Sequence, residues 1–503
     1  MGTVLALIAA LLAPNDSDDR SAEREPSPEA VVETVAYVAP QPEAEPAKDA
    51  NETSADEESW AGIVELPGSA ELGITITISL DGDRWNGSID IPMQGVDDLP
   101  LSDITRDDDT LGFTAPLPGA PESAWPRWSL TINDDGNATG VLRQAGGEFP
   151  TTMRLAAEGE SLGPNRPQEP KPPFPHTTEE ITIETAAGHT LAGTLTIPNE
   201  GLADGAAHPL AIMITGSGPQ DRDETILGHK PFLVLADHLA RRGIASIRCD
   251  DRGVGASTGD FQTATTLDFA DDVRAQVAFA AGRGDVASIG LIGHSEGALI
   301  APFVAVDTDA VGWLVLLAGP GVPGREVLGR QLVALAKAEG ATDEANLDEQ
   351  VRLQQAAFDA SLAGDTTSFD AAIRELVEIQ LAASGASATE AEIASTVRQQ
   401  RGVIQSPWFQ AFLELDAREP LRKVEQPVLV LNGELDTQVL ADQNVPAIEA
   451  ALKHNDDVEV RVLPGLNHLF QPATTGAFSE YAEIEITFDP GALEIISGWI
   501  RRR

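Results

Sequence analysis

Residues 288–303, "SIGLIGHSEGALIAPF", decide the fold. Ile289 to Ile292 is an apolar run of strand length, and a second apolar run starting at Ala298 reads as a helix. Only Gly293, His294, Ser295, Glu296 and Gly297 separate them, which leaves no room for a loop. A strand that becomes a helix this abruptly strains the backbone at Ser295. It holds the hydroxyl clear of the sheet, at the positive end of the following helix. Such a corner tolerates only small neighbours, and Gly293 and Gly297 supply them. The five-letter pattern alone is weak; between a strand and a helix it is the signature of an exposed nucleophile.

Outward from this corner the chain alternates. Upstream lie an opening hairpin ("EITIET" and "TLAGTLTIP"), the strand "PLAIMIT", the amphipathic helix "KPFLVLADHLARRG", the strand "IASIRCD" and the helix "TLDFADDVRAQVAFAAG". Downstream come the strand "VGWLVLLAG" and a long helical region over about 322–421. After it follow "PVLVLNG", a helix over Val445–Leu452, the strand "VEVRVLP" and a last helix, "GALEIISGWI". Buried apolar strands alternating with helices predict an α/β fold, a mostly parallel sheet with helices on both faces. The interrupting helices read as a cap over the strand C-terminal ends, where open α/β sheets bind ligands.

A neutral serine needs a base. Of eight histidines, His468 lies in "LPGLNHLF", the loop just after the last strand. His294 neighbours the serine but points away from its hydroxyl. His454 sits at a helix end, and His176, His189 and His208 fall in a linker, a turn and a loop. His229 and His238 flank or join the first helix. The base in turn needs an acid to fix its tautomer. "VLVLNGELDTQV" ends a strand in a loop bearing Glu434 and Asp436, and Asp436, further into the loop, is the better placed. The chain order Ser295, Asp436, His468 suits a nucleophile elbow.

A developing oxyanion needs donors. The backbone N–H of Glu296 at the helix start is one. The other comes from "TGSGPQDRD", most plausibly the N–H of Ser217, with Gly216 and Gly218 allowing close approach. That glycine-rich loop lacks the Gly-Lys-Ser/Thr of a phosphate cradle. "CDDRGVGAST" follows the next strand, and its turn of Asp251, Arg252 and Gly253 is expected to brace the active-site loops through an ion pair.

Before the α/β region the texture differs. Residues 59–162 alternate apolar and polar over strand lengths ("LGITITISL") and carry a hairpin signal, "WSLTINDDGNATGVLRQ". They predict a small antiparallel β domain, a barrel or sandwich, in which Trp60, Trp85, Trp125 and Trp128 are read as core. The proline-rich residues 163–177 read as a linker, with the catalytic region at 178–503. Residues 14–58, rich in Asp, Glu, Pro, Ala and Ser, read as a disordered acidic linker. Residues 1–13 resemble the apolar part of a secretion signal and suggest export, although basic residues before it are missing and Pro14 spoils the cleavage point.

Acids outnumber bases 80 to 33, a formal charge of −47 over 503 residues. Nucleic acid and anionic membrane surfaces are thereby disfavoured as partners. Adaptation to a salty medium and an ordinary acidic soluble protein both fit this excess. The one cysteine, Cys249, ends a predicted strand and reads as a core group. It excludes an intrachain disulfide and a cysteine metal cluster. No metal or organic cofactor is implied, no segment is long enough to span a bilayer, and oligomeric state is open.

Residues 178–503 resemble the α/β-hydrolase superfamily. The closest likeness is to bacterial carboxylesterases that carry "ITGSGPQDRDE", "DDRGVG", "GHSEG" and "NGELDTQV". The β region, with "DGDRWNGSIDIPMQG", resembles an accessory domain found before such esterase domains. The resemblance implies hydrolysis of short-chain carboxylic esters, with Ser295 as nucleophile, Asp436 as acid and His468 as base. A serine at the elbow departs from relatives that use cysteine or aspartate there. A peptidase, which would need an acid in the cap such as Glu375 or Glu378, and an acyl thioesterase share the chemistry. A β-domain binding module carrying a vestigial hydrolase is the non-catalytic alternative.

Overall fold

The structure is a computed structural model and describes residues 57–65, 71–82, 84–92, 96–117, 122–144, 147–156, 165–199, 207–384 and 387–503. The expected signal segment and nearly all of the acidic linker lie outside these residues. The described chain forms two compact units, one with the strands up to Leu155, the other built from Arg166–Thr225 and Lys230–Arg503.

The first unit is a single antiparallel sheet of nine strands. They are β1 (Glu57–Glu65), β2 (Glu71–Asp81), β3 (Arg84–Ile91), β4 (Val96–Pro100), β5 (Ser102–Asp107), β6 (Thr110–Thr114), β7 (Arg127–Ile132), β8 (Asn137–Gln144) and β9 (Gly147–Leu155). The order β4-β3-β2-β1-β9-β8-β7-β6-β5 joins first strand to last. At the remaining seam the Leu101 N–H donates to the Gly87 carbonyl at 2.8 Å, so the sheet curls into a near-barrel rather than a sandwich. Residues 57 and 58, read as linker, belong to β1, where Glu57 pairs in register with Ser79. The period of two sends Ile74, Ile76 and Ile78 inward, all fully buried, beside Trp60 and Trp128. Trp85 packs on this core from its edge.

The second unit opens with residues assigned to the linker by sequence, yet these are docked. Arg166 donates to the carbonyls of Ile484 and Ala482 at 2.7 and 2.9 Å, and Gln168 exchanges two hydrogen bonds with the Phe488 backbone. Its strands are β10 (His176–Glu184), β11 (Thr190–Pro198), β12 (His208–Ile214), β13 (Ala245–Cys249), β14 (Val286–His294), β15 (Val311–Leu317), β16 (Val428–Gly433) and β17 (Val458–Leu463). They form one sheet in the order β10-β11-β13-β12-β14-β15-β16-β17. Only β11 pairs antiparallel with its neighbours; all pairs from β13 onward are parallel.

The helices are α1 (Pro231–Ala240), α2 (Thr266–Ala281), α3 (Glu296–Ala305), α4 (Gly324–Ala338), α5 (Glu344–Leu362), α6 (Thr366–Ser384), α7 (Glu390–Ile404), α8 (Pro407–Glu414), α9 (Arg418–Leu421), α10 (Ala441–Leu452) and α11 (Pro490–Ile500). Alternate strand residues feed two cores. Ile212, Ile247, Leu291, Leu314 and Val430 pack with α2, α3 and α10, while Met213, Ile292, Val315 and Leu431 pack with α1 and α11. Both faces being apolar explains the near-continuous hydrophobic strands. Helices α4 to α9 are the cap, inserted between β15 and β16, and Phe358, Phe369 and Phe412 of the cap belong to the first of these cores. Cys249 is buried in the same core, and burial pushes its thiol up.

Candidate active site

Strand β14 ends at His294 and α3 begins at Glu296, so Ser295 is the whole connection. Its backbone holds φ 53° and ψ −116°, outside the regions open to ordinary residues. The Ser295 N–H donates to the Leu317 carbonyl at 2.8 Å, fixing the corner to β15. A Cβ on Gly293 would lie 2.1 Å from the Gly297 carbonyl oxygen, and one on Gly297 the same distance from that of Ile214. Any side chain at either position would push α3 off the sheet. The Ser295 side chain makes no cap bond to α3, which leaves its hydroxyl available for chemistry.

Asp436 follows β16 and His468 follows β17, adjacent parallel strands whose C-terminal loops meet. His468 Nδ1 lies 2.9 Å from Asp436 Oδ2, with both side chains almost fully buried. The carboxylate is held on every side: Oδ1 accepts from the Gln438 and Val439 N–H groups at 2.9 and 2.8 Å, and Oδ2 accepts from Asn432 at 3.2 Å. An ionised carboxylate only accepts, so His468 carries a proton on Nδ1, and Nε2 is the ring nitrogen outside this pair. The alternative acid, Glu434, turns to the Gly465 N–H on an exposed loop.

His468 stands beside the elbow. Its ring lies 4.8 Å, centroid to centroid, from that of His294, the residue before Ser295. Among the described residues no hydrogen bond joins Ser295 Oγ to His468 Nε2. Catalytic contacts of this kind commonly tighten only when substrate is bound.

The loop after β12 approaches from the other side. A Cβ on Gly216 would sit 3.2 Å from Ser295 Cβ. Its N–H is already committed to Glu224 Oε1 at 2.7 Å. Ser217, 6% exposed, has an N–H with no acceptor among the described residues. The Glu296 N–H, the first of α3, lacks an intrahelical partner by position. Gly218 adopts φ 103°, closed to other residues.

Asp251 braces this loop through hydrogen bonds rather than an ion pair, and Arg252 bonds elsewhere. Asp251 accepts from Thr215 Oγ1 at 2.9 Å and from the Gln220 N–H at 3.0 Å. Burial raises its carboxyl well above the usual range, and the Glu296 and Asp272 charges add to this. Arg252 instead pairs with Asp272 of α2 at 2.7 Å, and Asp272 also holds His189 at 2.8 Å.

Sequence reasoning missed the "DRDE" run after the glycine-rich loop. Arg222 forks onto Asp250, Asp223 pairs with Arg248, and Glu224 pairs with His294 at 2.8 Å. It also missed that the Glu296 side chain is buried, accepting from Thr266 Oγ1 at 2.6 Å and from the cap residue Trp408 Nε1 at 2.8 Å. The available signal was four consecutive charged residues immediately after a strand-end loop. Among the described residues no cluster could hold a metal ion, and no helix is long and apolar enough to cross a membrane.

Known proteins bear on this arrangement. The esterase EstD of Thermotoga maritima is 28% identical over 239 residues, which span 46% of this chain and 56% of that protein. The chain thus matches little more than half the length of that relative. Among solved structures, the esterase Pf2001 of Pyrococcus furiosus matches 68% of this chain and 98% of its own, at 15% identity and a TM-score of 0.41. Est1E of Butyrivibrio proteoclasticus, bound to ferulic acid, matches 64% and 96%, at 17% identity and a TM-score of 0.37. The alpha/beta hydrolase family profile matches residues 212–479, more than half of the sequence, and the chain belongs to that family.

Proposed function

We propose that this protein is a serine hydrolase that cleaves short-chain carboxylic esters through an acyl-enzyme. The observation that carries the reading is the buried Asp436–His468 pair, its ring packed against that of His294 beside a serine held at a forbidden backbone angle. His468 Nε2 takes the Ser295 proton as Oγ attacks the ester carbonyl carbon. The tetrahedral oxyanion forms against the N–H groups of Glu296 and Ser217, each worth about 3 kcal/mol in the transition state. His468 then gives its proton to the departing alcohol, and water repeats the sequence on the acyl group.

Supporting this reading, the curated relative given above is named an esterase. The preference for small acyl groups rests on Trp408. Its indole is tied to the residue after Ser295, with Phe409 and Phe412 packed behind it. On this reading the indole walls the acyl site and favours compact groups there. A peptidase acting at a free amine draws no support from Glu375 and Glu378: both are exposed, and Glu378 faces Arg374 at 3.9 Å.

The test compares p-nitrophenyl esters of increasing chain length with an aminoacyl-nitroanilide and an acyl thioester. The acetate and butyrate esters are expected to turn over fastest. Faster cleavage of the anilide or thioester would overturn the ester assignment. Failure of Ser295 to react with a fluorophosphonate would overturn the hydrolase assignment itself.

A further inference from the structure

Glu224 is 4% exposed and holds φ 54°, a backbone region disfavoured for any residue with a Cβ. Its Oε1 accepts from the Gly216 N–H at 2.7 Å and from His294 Nδ1 at 2.8 Å. His294, 5% exposed, places Nε2 3.0 Å from the backbone carbonyl oxygen of His468. A carboxylate and a carbonyl both only accept, so both ring nitrogens donate and the ring is an imidazolium. Burial opposes that charge, but the Glu224 charge and hydrogen bond outweigh it and hold His294 above its ordinary range.

Three catalytic segments therefore meet at one buried ion pair. Glu224 holds the loop that carries Ser217. His294 is the residue before Ser295. The His468 carbonyl belongs to the loop that carries the base. We infer that Glu224 and His294 are positioning residues for hydrolysis, fixing the oxyanion loop, the elbow and the base loop against one another. The inference rests on the serine hydrolase reading above. Neither residue touches the reacting atoms. By drawing the Gly216 N–H toward itself, Glu224 leaves the next N–H, that of Ser217, to face the substrate. By holding the His468 carbonyl, His294 leaves that ring free only to swing toward Oγ. Loss of the pair lets both loops drift, and an error of about 1 Å at a reacting group costs on the order of 10²-fold.

The experiment measures kcat and KM on p-nitrophenyl acetate, with melting temperature, for the full chain, Glu224→Gln, His294→Gln and the double variant. Glu224→Gln preserves shape and one acceptor but removes the charge; His294→Gln keeps an amide to reach the His468 carbonyl. Each is expected to lower kcat by about 10–100-fold with KM little changed, and the double variant to be no worse than the poorer single. Variants that lose only melting temperature while keeping kcat overturn the inference, as does a strictly additive double variant. If both single variants fail to fold, the pair serves stability and the positioning role falls. If the unaltered protein neither hydrolyses ester nor labels at Ser295, the hydrolase reading itself fails. That outcome is distinct from active protein with indifferent variants.

Discussion

Two buried histidine–carboxylate pairs lie side by side, with rings 4.8 Å apart, and their difference lies at the far nitrogen. In Asp436–His468 the second nitrogen finds no hydrogen-bond partner among the described residues, which is what the proposed mechanism needs of a base. In Glu224–His294 the second nitrogen donates to a carbonyl and both protons are locked in. On the readings proposed above, the same two functional groups give a base in one place and a strut in the other. Two further histidine–carboxylate pairs, His176–Asp237 and His189–Asp272, are not part of the proposed triad. A histidine beside an acid is therefore not by itself a catalytic signature; what its other nitrogen faces decides.

The most severe test of this contrast removes the group that only the first pair serves. Ser295→Ala is expected to cost about 10⁶-fold in kcat with the fold intact, judged by an unchanged melting curve. Next comes Asp436→Asn, which keeps the shape but disturbs the His468 tautomer and should cost about 10⁴-fold. Measured beside Glu224→Gln, it should be the worse variant by at least tenfold; equal losses would erase the distinction between base and strut. Smaller still is Trp408→Ala. Removing the indole that caps Glu296 should shift preference toward longer acyl chains in a chain-length series, with acetate turnover changed only a few-fold. An unchanged series would remove Trp408 from the acyl site.

The weakest effect concerns a histidine with no carboxylate bonded to its ring. His238 faces Ser497 Oγ at 3.1 Å, and burial together with Arg242 holds it down at about 4. A histidine depressed in the folded state binds its proton more readily unfolded. Its stability contribution is complete above about 6.5 and drains away as pH falls toward 4. His294, raised by Glu224 and, more weakly, by Asp436, while its other nitrogen meets the His468 carbonyl, has the opposite sign. Its contribution is complete below about 6.5 and is lost as pH rises through its elevated value. Melting curves against pH should therefore flatten on the acid side for His238→Gln and on the alkaline side for Glu224→Gln. The reverse assignment would overturn both readings.

Much of this was legible in the sequence because catalysis leaves local marks. Ser295 directly follows an apolar strand, and Asp436 and His468 each lie in a loop just after a strand. The alternation of strands and helices reflects burial on both faces, which apolar runs report directly. Glu224 was not legible. It sits in "QDRDE", at the end of a loop read only for its backbone donors, and its partner lies 70 residues away. The Glu296–Trp408 tie spans 112 residues and joins the elbow to the cap, so no periodicity could announce it. Asp272 offered a faint sign, a charge within the buried stripe of α2 beside Val273 and Gln276. It needs a partner by physics, but only the fold reveals that the partner is Arg252. The docked Arg166 shows a similar limit: a proline-rich stretch suggests a spacer, while its hydrogen bonds to the Ala482–Ile484 turn depend on distant backbone.

The solitary thiol of Cys249, buried at the end of β13 and held protonated, leaves the surface of the described fold without a background reaction for maleimide dyes. One fluorophore attached through Glu378→Cys on the cap and another through Lys453→Cys at the end of α10 would read the distance between insertion and scaffold directly. That geometry can then be followed by energy transfer while ester is being turned over.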